Sequence, residues 1–369
     1  MKITFLIGNG FDLNFGIKTK YSHFYEYYLK QDILVDIKNE DEKLKVIKCI
    51  KEFKEALNNN LENWSDLEIA LGNYASKFSK DSEKEFIALL NDIQDNLADY
   101  IDKQDKDFSI SETDKKKLLN DLVAFEGYLT PREKEIFLSH KNQFLATHYE
   151  VNVITFNYSK TFEKIYEWQN KPMSIGNRTY SNSTFYLTLK SVEHIHGTTE
   201  SNMILGVNDL SQIENEELRT SIQILRALIK TEINKNAGTL RDNRSVNCIN
   251  SSDIICLYGM SIGATDRYWW EKIVEKLKHS NCRLIIFSKK GEILPRRYYM
   301  AQNLKDEIID LLLSYSKLSD NEITKIKSQI FVCLNSKMFG AELIYKENDY
   351  QTKAQKIVDA VVGEVKEAN

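Results

Sequence analysis

"MKITFLIGNGFDLNFG" occupies residues 1–16 of a 369-residue chain. Residues 2–7 form a short apolar run that ends in glycine. A run of this kind reads as a strand buried on both faces of a parallel sheet. Gly8 and Gly10 then flank Asn9, and Asp12 follows. Glycines at the carboxyl end of a parallel strand permit positive φ and let main-chain N–H groups approach a ligand, with a helix N-terminus behind them. The plainer readings are a tight structural turn and, for Asp12, a helix cap. Leu13 stands where a dinucleotide fingerprint has its third glycine, and no second strand ending in an acid follows about 20 residues on. An ordinary dehydrogenase is therefore not expected.

From about residue 21 to residue 148 the text changes to helical spacing rich in Lys and Glu, without strand-like alternation. Beyond it, strands and helices alternate. Strands are predicted over 151–156, 192–196, 202–207, 253–259, 282–288, 329–334 and 341–346. Helices are predicted over "KTFEKIYEWQ", over "SQIENEELRTSIQILRALIKTEI" as one long element, over "DRYWWEKIVEKLKH", over 303–328, and over the terminal "TKAQKIVDAVVGEV". The pattern predicts an α/β fold, a parallel sheet covered by helices on both faces. Residues 1–25 and 149–369 would form the core, with residues 26–148 as a helical insertion after the first strand.

Hydrophobic residues make up 42% of the chain and charged residues 28%, and the formal net charge is −4. That balance argues against a nucleic-acid binder driven by bulk charge. The five cysteines form no C-x-x-C pair, as expected of reduced thiols without structural zinc. No apolar run approaches the roughly 20 residues that span a bilayer, and residues 3–7 are too short for a signal-peptide core. A soluble, cytoplasmic protein without a membrane partner is expected.

Three further strand ends carry polar groups. Asn157, Tyr158 and Ser159 follow "VITF". His196, Gly197 and Thr198 follow "VEHI". In "LYGMSIGATDRYWW", Gly259, Ser261 and Gly263 form a second glycine-containing turn before a helix. All should lie on one rim with Gly8–Asp12. Singly, Asn157 reads equally as a turn former and His196 as a structural histidine. Ser261 could donate to a phosphate or ribose. Asp266 could cap the next helix or bind a ribose hydroxyl. Trp269 and Trp270 read as packing residues, and His194 as a structural residue on the opposite face of its strand from His196.

In order along the chain, "FLIGNGFDLNFGIKTKYSHF", "WSDLEIALG", "ITFNYS", "HIHG" and "LYGMSIGATDRYWWEKI" resemble the bacteriophage abortive-infection AbiH family, over most of its length. That family is similar to the sirtuin-like, Rossmann-like NAD-binding fold of several phage-defence effectors. The resemblance implies that the main chain at Gly8, Asn9, Gly10 and Phe11 binds the NAD diphosphate, as in a G-A-G-x-S loop, with Asp12 at or beside the position of the serine. It implies catalytic roles for Asn157, matching T-x-N-x-D, and His196, followed by Gly197, matching His-Gly. Ser159 replaces the aspartate that helps hold the nicotinamide carboxamide. Gly259 and Ser261 would hold the adenosine side. The zinc cysteines of sirtuin deacylases are absent, so deacylation is not expected, and no metal is expected.

The function so implied is hydrolysis of NAD to nicotinamide and ADP-ribose by an antiphage effector. The alternatives are a non-catalytic sensor of NAD or an ADP-ribose-like nucleotide, and a nucleic-acid-directed toxin. A homo-oligomer or a defence-system partner protein is expected, with the helical insertion as the place for gating or self-association.

Overall fold

The structure is a computed structural model that describes residues 1–345 apart from Ser65, Asp107 and residues 290–295. Its strands are β1 (Lys2–Ile7), β2 (Phe108–Ile110), β3 (Tyr149–Thr155), β4 (Met173–Tyr180), β5 (Ser183–His194), β6 (Ile254–Tyr258), β7 (Arg283–Ser288), β8 (Ile330–Leu334) and β9 (Leu343–Tyr345). Seven of them form one sheet in the order β4-β5-β3-β1-β6-β7-β8. β4 runs antiparallel to β5 at one edge, and every other neighbouring pair is parallel. Numbered by appearance, the six parallel strands stand 3-2-1-4-5-6, the order of the doubly wound dinucleotide-binding sheet. β1 is the central strand, with Ile7 opposite Thr155 on one side and Tyr258 on the other. The connections reverse direction between β1 and β6. In such sheets the crevice for a ligand opens at the carboxyl ends there.

Side-chain alternation distributes β1 between two cores. Ile3, Phe5 and Ile7 join Val153, Cys256 and Tyr258 against Leu118, Leu122, Phe125 and Phe137. Leu6 joins Ile154, Ile255 and Leu257 against Trp270, Ile273, Leu277 and Leu312 on the other face. Each fully buried large apolar side chain contributes roughly 1.5–3 kcal/mol. A third core unites Phe24, Tyr28, Phe53, Leu71 and Ile93 with Leu205, Val207 and Leu228. The helical block thus packs as two parts: residues 24–101 against the loop after β5, and Leu118–Phe137 directly on the sheet. Helix Glu83–Gln104 buries Phe86, Leu89, Leu90, Ile93, Leu97 and Ile101, one stripe at three- and four-residue steps. Helix Pro131–Lys141 starts at a Thr130/Glu133 capping box with proline at its first turn.

The α/β architecture matches the sequence reading, but several elements differ. The strand at 192–196 is the end of the longer β5, paired in a hairpin with β4. Residues 202–207 form no strand, only a single bridge from Val207 to Ile229. The single long helix over "SQIENEELRTSIQILRALIKTEI" is instead two short turns and two helices, Ile222–Leu228 and Lys230–Asn236. The helix over 303–328 is likewise two, Tyr298–Leu313 and Asp320–Lys327. β9 leaves the main sheet and pairs with β2, inside the block where no strand was expected. The terminal helix over 352–365 lies outside the described residues. Among the described residues no helix is long and apolar enough to cross a membrane.

Candidate functional site

The two glycine turns meet at the reversal point. The Gly8 N–H donates to Tyr258 O (2.9 Å), the Gly10 N–H to Gly259 O (2.8 Å), and the Phe11 N–H to Gly8 O (2.9 Å). A Cβ on Gly10 would lie 2.5 Å from Gly259 Cα, and Gly259 has φ +68°. Glycine is therefore required because two stretches of main chain touch. The Gly8, Gly10 and Phe11 donors, which the resemblance directs at a diphosphate, are engaged within the chain. Phe11 itself is fully buried, packed on Phe15, Phe162 and Phe339. Asn9 is exposed and ties its side-chain amide to Thr19 O (2.9 Å). Ser261 is exposed, and Gly259 is half-buried.

Beside this contact lies a polar nest around Asp12. Asp12 sits in the first turn of helix Gly10–Asn14, buried, and makes no cap. Its Oδ1 accepts from Asn157 Nδ2 (3.0 Å) and its Oδ2 from Ser159 Oγ (2.5 Å), while Thr161 Oγ1 donates to Ser159 Oγ (3.0 Å). Burial pushes the Asp12 carboxyl up to about 6, against the opposing pull of these hydroxyl and amide donors and of His194. Asn157 Oδ1 is buried without a hydrogen-bond partner. His194 joins this nest. Its Nδ1 lies 2.9 Å from Asn157 O, and its Nε2 contacts Glu163 Oε1. Acceptor oxygens face both ring nitrogens, so the ring bridges Asn157 to Glu163.

A second nest surrounds His196. Gly197 has φ +73°, and a Cβ there would lie 2.0 Å from Asn202 O. That turn sets the His196 ring edge-on to Phe156 (centroids 5.2 Å apart) and near Tyr158 (6.3 Å). His196 Nε2 lies 3.2 Å from Asp266 Oδ1, out of line for a hydrogen bond. Asp266 precedes helix Arg267–His279, but its side chain does not cap it. Lys230 Nζ donates instead to Asp266 Oδ1 (2.8 Å), Glu68 Oε2 (2.8 Å) and Thr265 O (3.2 Å). Burial alone would raise Asp266, but the Lys230 ammonium and His196 hold its carboxyl well below the usual range. Burial raises Glu68, with Lys230 opposing.

A pocket of about 20 Å³ adjoins His196, Lys230, Asn234, Asp242 and Asp266. That is the room one water needs. Trp269 and Trp270 are packing residues, as expected. Both are buried, and Trp270 Nε1 donates to Gly263 O (2.7 Å) while its ring stacks on Phe156.

The structure thus brings Asp12, Asn157 and Ser159 into contact, and His196 with Asp266. It gives no contact between Asn157 and His196, each of which is buried. Asn157 turns toward the helix after β1, and His196 toward the turn after β6. Sequence reasoning missed Glu68, Lys230 and Glu163 and set His194 apart. The available signal was Glu68 itself, inside "WSDLEIALG". Among the described residues no group of three or more His, Cys, Asp or Glu is placed to hold a metal ion. The model of the bacteriophage abortive infection AbiH family matches residues 4–288, a span that carries every segment of both nests. No curated protein matches the chain.

Proposed function

The chain belongs to the bacteriophage abortive infection AbiH family, and from that premise we propose that it is an antiphage effector that binds NAD at the carboxyl edge of its sheet and hydrolyses it to nicotinamide and ADP-ribose. The observation that carries this reading is the buried Asp12–Asn157–Ser159 nest at the ends of β1 and β3, next to the reversal point. Against the sirtuin-like pattern the chain has aspartate for serine at 12 and serine for aspartate at 159. The two departures compensate one another, because Ser159 Oγ and the Asp12 carboxylate are hydrogen-bonded. The nest keeps one carboxylate and one hydroxyl, with their positions in the chain exchanged. Asn157 adds an unpartnered buried acceptor, Oδ1, able to take a hydrogen bond from a water or a ribose hydroxyl.

NAD brings its own leaving group, a pyridinium that departs neutral. Cleavage passes through an oxocarbenium-like ribosyl centre, as in glycoside hydrolysis. A water oxygen bonds to the anomeric carbon, and the carbon–nitrogen bond breaks with its electron pair going to nicotinamide. The water proton passes to His196 as base. The Gly8, Gly10 and Phe11 N–H groups are engaged within the chain, and the pocket at His196 is the size of a water. Substrate entry requires the turns after β1 and β6 to part, which suits an effector that must stay inactive until infection.

The test is to incubate the purified protein with NAD, with and without phage lysate, and measure free nicotinamide. Asn157→Ala and His196→Ala should each abolish release while the protein stays folded. Release that persists in both variants refutes the assignment. A second reading, a nucleotide sensor, draws on the same engaged donors. It predicts that NAD or ADP-ribose raises the melting temperature and is recovered intact.

A further inference from the structure

Glu68 comes from helix Leu67–Tyr74 of the helical block, far in sequence from the segments it meets. Asp66 caps that helix through the Glu68 and Ile69 N–H groups, which fixes its start. A Cβ on Gly72 would lie 2.1 Å from Gln212 O, so the helix seats directly on the loop after β5. Both features aim Glu68 inward. Its Oε1 accepts from the Gly206 N–H (3.3 Å), and its Oε2 pairs with Lys230. Lys230 pairs with Asp266, and Asp266 lies beside His196. The side chains of Glu68, Lys230 and His196 are each no more than 8% exposed, and that of Asp266 17%.

Charge counting gives the chain of contacts a direction. Glu68 and Asp266 share the Lys230 ammonium, so the charge that faces the His196 ring depends on all three groups. The groups around the ring are Asp266 and Lys230, Asp242 from helix Arg241–Ser251, and Glu68 behind Lys230, with the rings of Phe156, Tyr158 and Trp269 as its apolar and phenolic walls.

We propose that Glu68 is a positioning residue of this site: acting through Lys230, it holds the Asp266 carboxylate beside His196 and so fixes the charge the ring faces, and the helical block thereby supplies part of the site. The role of His196 as base rests on the NAD reading, whereas the linkage from Glu68 to His196 does not.

The experiment is an NMR pH titration of the His196 ring in the full chain without substrate. Glu68→Gln removes a negative charge and should lower the His196 midpoint by about one pH unit. Lys230→Gln removes a positive charge and should raise it by a similar amount. The double variant E68Q/K230Q restores the charge count and should return the midpoint to near its wild-type position. It also serves if a single variant does not fold. A merely structural Glu68 would give no such opposed pair and no restoration. An unchanged His196 midpoint in folded Glu68→Gln, or equal midpoints in Lys230→Gln and the double variant, overturns the proposal. Opposed shifts in a protein that leaves NAD intact would support the linkage while removing the NAD reading. With NAD as substrate, the acid limb of the rate profile should move with the midpoint.

Discussion

Asp12, buried, and Asp266, half-buried, are carboxylates beside the two glycine turns, yet opposite chemistry satisfies them. Neutral donors, an amide and a hydroxyl, surround Asp12. Asp266 has the Lys230 ammonium at 2.8 Å. Neutral hydrogen bonds do not fully offset desolvation of a charge, so the Asp12 carboxyl is held up at about 6. A paired cation more than offsets it, so Asp266 is held down. The partners, an amide and hydroxyl against an ammonium, thus leave one acid that can gain a proton near neutrality and one that stays ionised. The first suits a site whose charge changes when ligand arrives, and the second a fixed electrostatic frame around His196.

The largest effect should come from breaking the ionic nest. Lys230→Met leaves the buried Glu68 and the half-buried Asp266 without their cation and should destabilise the fold by about 3–5 kcal/mol in urea unfolding. A loss under about 1 kcal/mol would mean that water reaches the cluster and that the frame is not fixed.

The neutral nest should respond to pH in the opposite sense to an ion-paired acid. The folded Asp12 pKa of about 6 lies above its ordinary 3.8, so between those values the native state binds more protons than the unfolded one. Stability from this group is therefore present at low pH and lost as pH rises through about 6. Two units correspond to roughly 3 kcal/mol. Relative to Asp12→Asn, the wild type should gain about that much between pH 7 and pH 4. Parallel stability curves for the two proteins would contradict the assignment of Asp12.

A smaller effect tests the contact between the turns. Gly10→Ala places a methyl 2.5 Å from Gly259 Cα and should cost about 1–3 kcal/mol. Gly127→Ala meets nothing within 4 Å and should change stability by about half a kcal/mol or less. Equal melting temperatures for the two variants would show that the turns part freely.

Legibility followed burial. β1, β3, β6, β7 and β8 were readable because strands covered on both faces become short apolar runs. β4 was not, because only Ile175 of its eight residues is buried, and "MSIGNRTY" reads as loop. The residues 202–207 are apolar because they lie in a packed loop, which periodicity cannot tell from a strand. The predicted long helix breaks at Ile229, where no glycine or proline signals it. There Val207 N–H donates to Leu228 O (2.8 Å) and Lys230 N–H to Val207 O (3.0 Å), so tertiary hydrogen bonds override helical propensity.

The site divides the same way. The strand-end positions of Asn157 and His196 follow from local text. Their partners do not: Asp12 lies 145 residues from Asn157, and Glu68 lies 162 from Lys230. No spacing rule reaches that far. Asp266 stands at the cap position the sequence assigns it, but the buried Lys230 captures its carboxylate in place of the helix N–H groups.

One assay tests directly the proposal that the Asp12–Asn157–Ser159 nest acts on NAD. Nicotinamide released from NAD by the wild-type protein should be compared with that from Asn157→Ala, in the presence of phage lysate and with both proteins shown to be folded. Release by the wild type and none above background by the variant is the expected result. Equal release by both, or NAD recovered intact from both, would contradict it.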